Sequence, residues 1–470
     1  MSAKLAARGD LSVLDERPGA GEPRPYRFPP FGRQRLDNGL TLITADMPGR
    51  PLLAAHLLLE GGSADEPPAQ AGVTALLARA LSEGTERRSA IELIEAAERL
   101  GAELHADAGW ENVAGTLEVP RSRFGPALGL LAEMVWTPSF PPAEVERLRD
   151  ERLNDLLQAR AEPRRRVEWA FAETIYAPES PYHRPASGIE ETVAPLDRVA
   201  VAERHAALLD PSAANLIVAG DLRGLDLPKL AETHLGALEG SSRNGARPAD
   251  DSAHPSGPRM ILIDRPEAPQ TELRVGHVGL PRRIPDFHAV SVLSAILGGL
   301  FNSRLQRLLR EERGYTYSVG AGFEFRRGAG PFAVRTAVQT EVTAPALRDV
   351  MEQLRGLDTQ PVTEDELREA RDFLIGVFPL RFESPAQVAS ALAGLVIHGL
   401  PDDELDRYRP AVAAVTQDDV ARAATHVRPD QASIVLVGDA ARIESELRDL
   451  AVLPLEVVSE PLEAGREDAA

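Results

Sequence analysis

Residues 298–322 read GGLFNSRLQRLLREERGYTYSVGAG. Phe301, Leu305, Leu308 and Leu309 recur at helical spacing, which predicts one buried face with Arg304, Arg307 and Glu311 elsewhere around the helix. Gly314 is placed to end that helix in a left-handed turn. Beyond it Tyr315, Tyr317 and Val319 alternate with Thr316, Ser318 and Gly320, as the two faces of a strand do. A helix end and a strand start can then converge on one spot. Arg310 and Tyr317 meeting there would offer a forked cation and a phenolic O–H, a pair able to hold a peptide carbonyl or a developing oxyanion.

Outward from this stretch the chain reads as a duplication. LIVAGDL at 216–222 recurs as IVLVGDA at 434–440, and the helix–Pro turn–helix segment GLLAEMVWTPSFPPAEVERLRDERL has a counterpart in VMEQLRGLDTQPVTEDELREARDFL. An offset of about 218 positions marks duplicated domains, since solenoid repeats have periods of only about 20–50 residues. Residues 239–258, EGSSRNGARPADDSAHPSGP, have the composition of a linker. The expected architecture is α+β: two homologous domains, 28–238 and 259–450, each a mainly antiparallel sheet flanked by helices. A Pro-, Gly- and charge-rich lead-in at 1–27 and an acidic tail at 451–470 are expected to be flexible. In the first half, two strands follow the turn-forming Asn38-Gly39. Two helices separated around Gly84-Thr85 come next, then a strand and a second strand at about 112–119, helices near 121–134, 142–161, 165–177 and 196–209, and a strand at 215–220.

Composition narrows the function classes. The chain has 470 residues, 43% of them hydrophobic, and no run long enough to span a bilayer. It has no cysteine, which removes disulfides and thiolate metal sites. The N-terminus lacks the apolar core of a signal peptide, so a cytoplasmic location is expected. A net charge of -20 argues against nucleic acid and anionic membrane as partners, because both call for a basic face. The ten histidines include no pair at i, i+4.

With these elements in place, the chain resembles the pitrilysin/insulinase-like zinc peptidases. The resemblance rests on Ser303-Arg304-Leu305, on the Leu-Arg-Glu-x-Arg-Gly run from Leu309 to Gly314, and on Tyr317-Ser318-Val319. It is extended by Asp37-Asn38-Gly39-Leu40 and Gly61-Gly62-Ser63, and covers about residues 28–450. In that family an Arg and a Tyr at the spacing of Arg310 and Tyr317 bind substrate beside a zinc supplied by another domain. The zinc motif is the inverted His-x-x-Glu-His on one helical face. Setting Gly72 and Gly84-Thr85 in register puts its positions at Ala75, Ala78 and Arg79, none of which can serve as ligand or base. The family's third ligand, a Glu about 75 residues further on, falls near Glu151–Asp155.

The resemblance therefore implies a non-catalytic subunit with no cofactor of its own. It would supply Arg310 and Tyr317 to hold a peptide while a zinc-bearing paralogous subunit hydrolyses it, as in the two-chain processing peptidases of mitochondria. A homodimer is the runner-up assembly. The alternative is a structural relative, like the core subunits of the respiratory cytochrome complex, in which the Arg/Tyr pair has no reason to be kept. An autonomous zinc peptidase is disfavoured by the missing ligands.

Overall fold

The computed structural model describes Gly21, residues 24–238 and residues 250–460. The first half builds one sheet from β1 (Phe31–Arg35), β2 (Thr41–Asp46), β3 (Leu52–Glu60), β4 (Glu103–Ala108), β5 (Asn112–Pro120) and β6 (Ala214–Gly220), in the order β1-β2-β6-β3-β5-β4. The second builds another from β7 (Met260–Asp264), β8 (Gln270–Val278), β9 (Val319–Phe323), β10 (Pro331–Gln339), β11 (Ser433–Gly438) and β12 (Leu455–Val458), in the order β12-β7-β11-β8-β10-β9. Five strands correspond in order between the sheets. The parallel pairs β2–β6 and β7–β11 are each followed by three antiparallel pairings. The sixth strand breaks the symmetry: β1 runs antiparallel to β2, whereas β12 runs parallel to β7. The two sheets thus bear out the mainly antiparallel α+β duplication.

The repeated segments that revealed the duplication are β6 and β11, and both are buried along their whole length. A strand covered on both faces reads as a continuous apolar run, which is why the two copies stood out in the sequence. What covers them is less expected. Four helices matter here: α1 (Val73–Ala80), α2 (Pro142–Ala161), α3 (Pro163–Ile175) and α4 (Pro385–His398). From the first half, α3 packs Val167, Ala170, Phe171 and Ile175 against Ile263, Ala333, Val435 and Val437 of the second sheet. From the second half, α4 packs Val388, Ala389, Leu392 and Ala393 against Ile43, Ala45, Ala54, Ile217 and Ala219 of the first sheet. Each half lends a helix to the other half's sheet.

Order also extends past the expected boundaries. Tyr26, placed in the lead-in from sequence, stacks on Phe382 and meets Phe378 edge-on. Residues of the expected acidic tail form β12, because Leu455 and Val457 pack on the second core, and Glu460 pairs with Arg166 at 2.7 Å. From the linker, His254 donates its backbone N–H to Ile175 O at 2.8 Å, and Ala177 donates to Ser252 O at 2.9 Å. Residues 1–20, 22–23, 239–249 and 461–470 lie outside the described residues.

Burial of His277 on β8 gives the fold a pH dependence. Its Nε2 accepts the Arg428 backbone N–H at 2.9 Å while Nδ1 faces the Val278 carbonyl at 2.8 Å, an arrangement that requires the neutral ring. Burial lowers its pKa to about 4, and His56 and His398 are lowered to about 4 for the same reason. The unfolded chain, with histidines near 6.5, binds more protons below that pH, so this stabilisation is complete above about 6.5 and is lost as pH falls toward 4. His277 alone contributes about 2 kcal/mol of the loss between pH 7 and 5. Calorimetry is expected to show a lower melting temperature at pH 5 than at pH 7, with a smaller drop in His277→Gln. An equal drop in the variant would remove His277 from the account.

Candidate functional site

The local sequence around α1 sets up the helix that the resemblance sets in register with the zinc motif. Gly72 starts it at φ +96°, where a Cβ would lie 2.7 Å from Ser187 O. The Glu66 carboxylate accepts the backbone N–H groups of Gly72 at 2.8 Å and Thr74 at 2.6 Å. Burial raises the Glu66 pKa, opposed by those hydrogen bonds and by Arg204.

On this helix Ala78 is buried and Ala75 is half-buried, and neither side chain has a donor atom. Arg79 points toward α2, where its guanidinium binds Glu151 at 2.7 Å and Asp155 at 3.5 Å. Arg147 joins the same group, reaching Glu83 at 2.9 Å, Glu144 at 2.7 Å and Glu151 at 2.5 Å. The carboxylate region that the resemblance implied for a third ligand does face α1. It is occupied by a cation that belongs to the protein. A guanidinium has no lone pair for a metal and stays protonated, so Arg79 neither coordinates nor acts as a base. Among the described residues no group of three or more His, Asp or Glu side chains is arranged to hold a metal ion.

Arg310 and Tyr317 lie on the second half, and the structure brings them together: the Arg310 guanidinium carbon is 5.2 Å from the Tyr317 ring centroid. Their setting differs from the sequence expectation in three ways. The helix widens into π-turns over Gln306–Glu312, and Gly314 follows at φ +67°. The strand, β9, starts only at Val319, so Tyr317 stands on the loop before it and is 86% exposed. Phe301, expected in the buried face, is 67% exposed, while Leu305 and Leu309 are buried and Leu308 half-buried. The helical phase does not reach Phe301, because the chain turns at residues 301–303 before the helix begins. The Arg310 guanidinium carbon is 4.5 Å from the Phe301 ring centroid.

Electrostatics single out Arg310 among its neighbours. Arg304 pairs with Glu366 at 2.7 Å, Arg313 with Asp349 at 2.9 Å and Arg307 with Glu312 at 3.8 Å. Among the described residues the Arg310 side chain has no ion pair or hydrogen bond, and its guanidinium lies against two aromatic rings. No bond or ring contact among the described residues joins this pair to Ala75, Ala78 and Arg79 on the other half.

Comparison with known proteins bears on the family and the fold. The family profile described as Insulinase (Peptidase family M16) matches residues 42–183, and the one described as Peptidase M16 inactive domain matches residues 195–374. The chain belongs to the insulinase-like M16 peptidase family. Among M16 relatives it is 26% identical over 366 residues to an uncharacterised zinc protease of Mycobacterium leprae, covering 78% of this chain and 82% of that one. It is 24% identical over 359 residues to a Helicobacter pylori protein named as a non-peptidase homolog, covering 75% and 80%. A solved peptidase M16 inactive domain from Pseudomonas fluorescens superposes with a TM-score of 0.79 at 24% identity, covering 87% of this chain and 98% of that one. A Helicobacter pylori protease superposes at 0.81 and 17% identity, covering 88% and 100%. This M16 chain has the family's fold on both halves and an α1 helix without metal ligands. Among the described residues no helix is long and apolar enough to cross a membrane.

Sequence reasoning missed Phe301, which it assigned to the core, and the pairing of Arg79 with Glu151. Two signals were available. Phe301 directly precedes the polar, turn-compatible pair Asn302-Ser303, and Arg79 stands in a helical register opposite a carboxylate-rich helix.

Proposed function

We propose that this chain is the zinc-less, substrate-binding subunit of a two-chain zinc peptidase. Arg310 and Tyr317 hold the peptide, and a zinc-bearing paralogous subunit supplies the metal-activated water. The observation that carries the reading is Arg310: in a chain of net charge -20, its guanidinium has no carboxylate partner among the described residues, while the three arginines around it on the same segment do. An unpaired forked donor beside an exposed phenol suits a ligand carbonyl or oxyanion. A scaffold would gain nothing from leaving it unpaired. Zinc-dependent peptide hydrolysis uses a metal-bound water and donors aimed at the oxyanion, and both need not lie on one polypeptide. The test is co-expression with a zinc-bearing M16 paralogue. A stable complex is expected, with chelator-sensitive peptide cleavage that neither chain shows alone. Separate species in light scattering at micromolar concentration, or a paralogue equally active by itself, would sink the proposal.

The same reading predicts that the purified chain carries no stoichiometric zinc. It also makes the degenerate site repairable. Because Glu151 already faces Arg79 at 2.7 Å, the combined substitution Ala75→His, Ala78→Glu and Arg79→His is expected to give a zinc site of two imidazoles and one carboxylate, the ligand count of a catalytic centre. Elemental analysis after dialysis should find about one zinc per variant chain. Zinc retained equally by the parent chain, or by neither protein, would contradict the account of α1.

A further inference from the structure

We infer that Phe301 is the positioning residue for Arg310, fixing the guanidinium so that its in-plane N–H groups are presented to substrate; the inference rests on the reading that Arg310 holds the peptide. Leu300 turns inward and is buried at 8% exposure, whereas its neighbour Phe301 turns outward and is left 67% exposed. A large aromatic side chain placed outside the core, beside the only nearby arginine without a carboxylate partner among the described residues, has one evident contact: the Arg310 guanidinium, 4.5 Å from its ring centroid.

The Tyr317 ring lies 5.2 Å away from the same carbon, and both distances fall within the range of cation–π attraction. Aromatic faces attract the flat π-surface of a guanidinium and leave its edges free to donate. Carboxylates would do the opposite. They would take up the N–H edges, as Glu366 does with Arg304 at 2.7 and 2.8 Å. Holding Arg310 by rings therefore orders the side chain without using the donors that substrate needs. A long side chain ordered in advance loses less entropy when the ligand arrives.

The inference separates the π-face from mere apolar bulk. In the complex with a zinc-bearing paralogue, Phe301→Ala is expected to lower kcat/KM by about two- to thirtyfold, the span of cation–π attraction between an exposed and a dried site. Phe301→Tyr and Phe301→Trp should restore the rate, and Phe301→Leu should not. The isolated chain gives a readout that needs no partner: the Arg310 Nε–H resonance, ring-shifted in the parent, should move toward the value of a free arginine in Phe301→Ala and stay shifted in Phe301→Tyr. Parental rates in Phe301→Ala or in Phe301→Leu, alongside a damaged Arg310→Ala, would overturn the positioning role and leave the proposed function standing. An unchanged Arg310 resonance in Phe301→Ala would also overturn it. If Arg310→Ala itself leaves cleavage unchanged, the substrate-binding reading fails and the positioning role falls with it, even where the resonance confirms the stack.

Discussion

Tyr317→Phe is expected to reduce turnover of the reconstituted complex by about 10²–10³, the loss seen when one preorganised donor to an oxyanion is deleted. The substitution removes a single hydroxyl and keeps the ring, so the contact with Arg310 at 5.2 Å survives and the loss reports on the phenol alone. Arg310→Ala should cost at least as much, since it removes a charged, forked donor. Neither change should disturb the fold. Tyr317 is 86% exposed, and the Arg310 side chain has no hydrogen bond or ion pair among the described residues, so melting temperatures should stay within a few degrees of the parent. Early unfolding of both variants would make the pair structural. Normal melting with parental cleavage would return the chain to the scaffold reading.

Leu392→Ala is expected to destabilise the whole protein by about 2–5 kcal/mol, although Leu392 belongs by sequence to the second half. Its side chain on α4 is fully buried against Ile43, Ala54 and Ile217 of the first sheet. Phe171→Ala on α3 should act in the mirror sense, opening a cavity over Ile263 and Val435 of the second sheet at a cost of about 3–5 kcal/mol. Because each sheet is covered by a helix from the other half, unfolding is expected to be one cooperative transition in both variants. Hydrogen exchange of β6 and β11 amides decides it. Loss of protection in β6 alone on Leu392→Ala, with β11 unchanged, would mean that the halves are independent domains joined by a linker.

The contacts made by residues 252–254 show what composition alone leaves out of a linker reading. A stretch rich in Ser, Asp and Pro gives no sign that Ser252 and His254 will pair with the end of α3. The acidic tail misled for a related reason. Leu455 and Val457 amount to a short apolar alternation in a charged context, and only the open edge of β7 makes a strand of it.

At the candidate site, residue identity was legible and arrangement was not. Arg310 and Tyr317 could be named from spacing and resemblance, because an Arg near a helix end and a Tyr just past a glycine turn are local features. The π-turns over Gln306–Glu312, the loop position of Tyr317 and the outward turn of Phe301 depend on how Leu305 and Leu309 are drawn into the second core, which no local pattern states. On α1 the sequence likewise showed that Ala75, Ala78 and Arg79 cannot hold zinc. It did not show that Arg79 would turn onto Glu151 and Asp155.

The sequence by itself determined the duplication and the two sheets, which are written in periodicity, and the lack of ligand atoms at Ala75, Ala78 and Arg79, which no packing can alter: alanine has no ligand atom, and guanidinium has no free lone pair. Tertiary structure alone decided that Arg79 closes on Glu151, that Arg310 stands among rings instead of carboxylates, and that α3 and α4 cross to the opposite sheets. Those outcomes depend on contacts between residues far apart in the chain, selected by which apolar faces could be buried together.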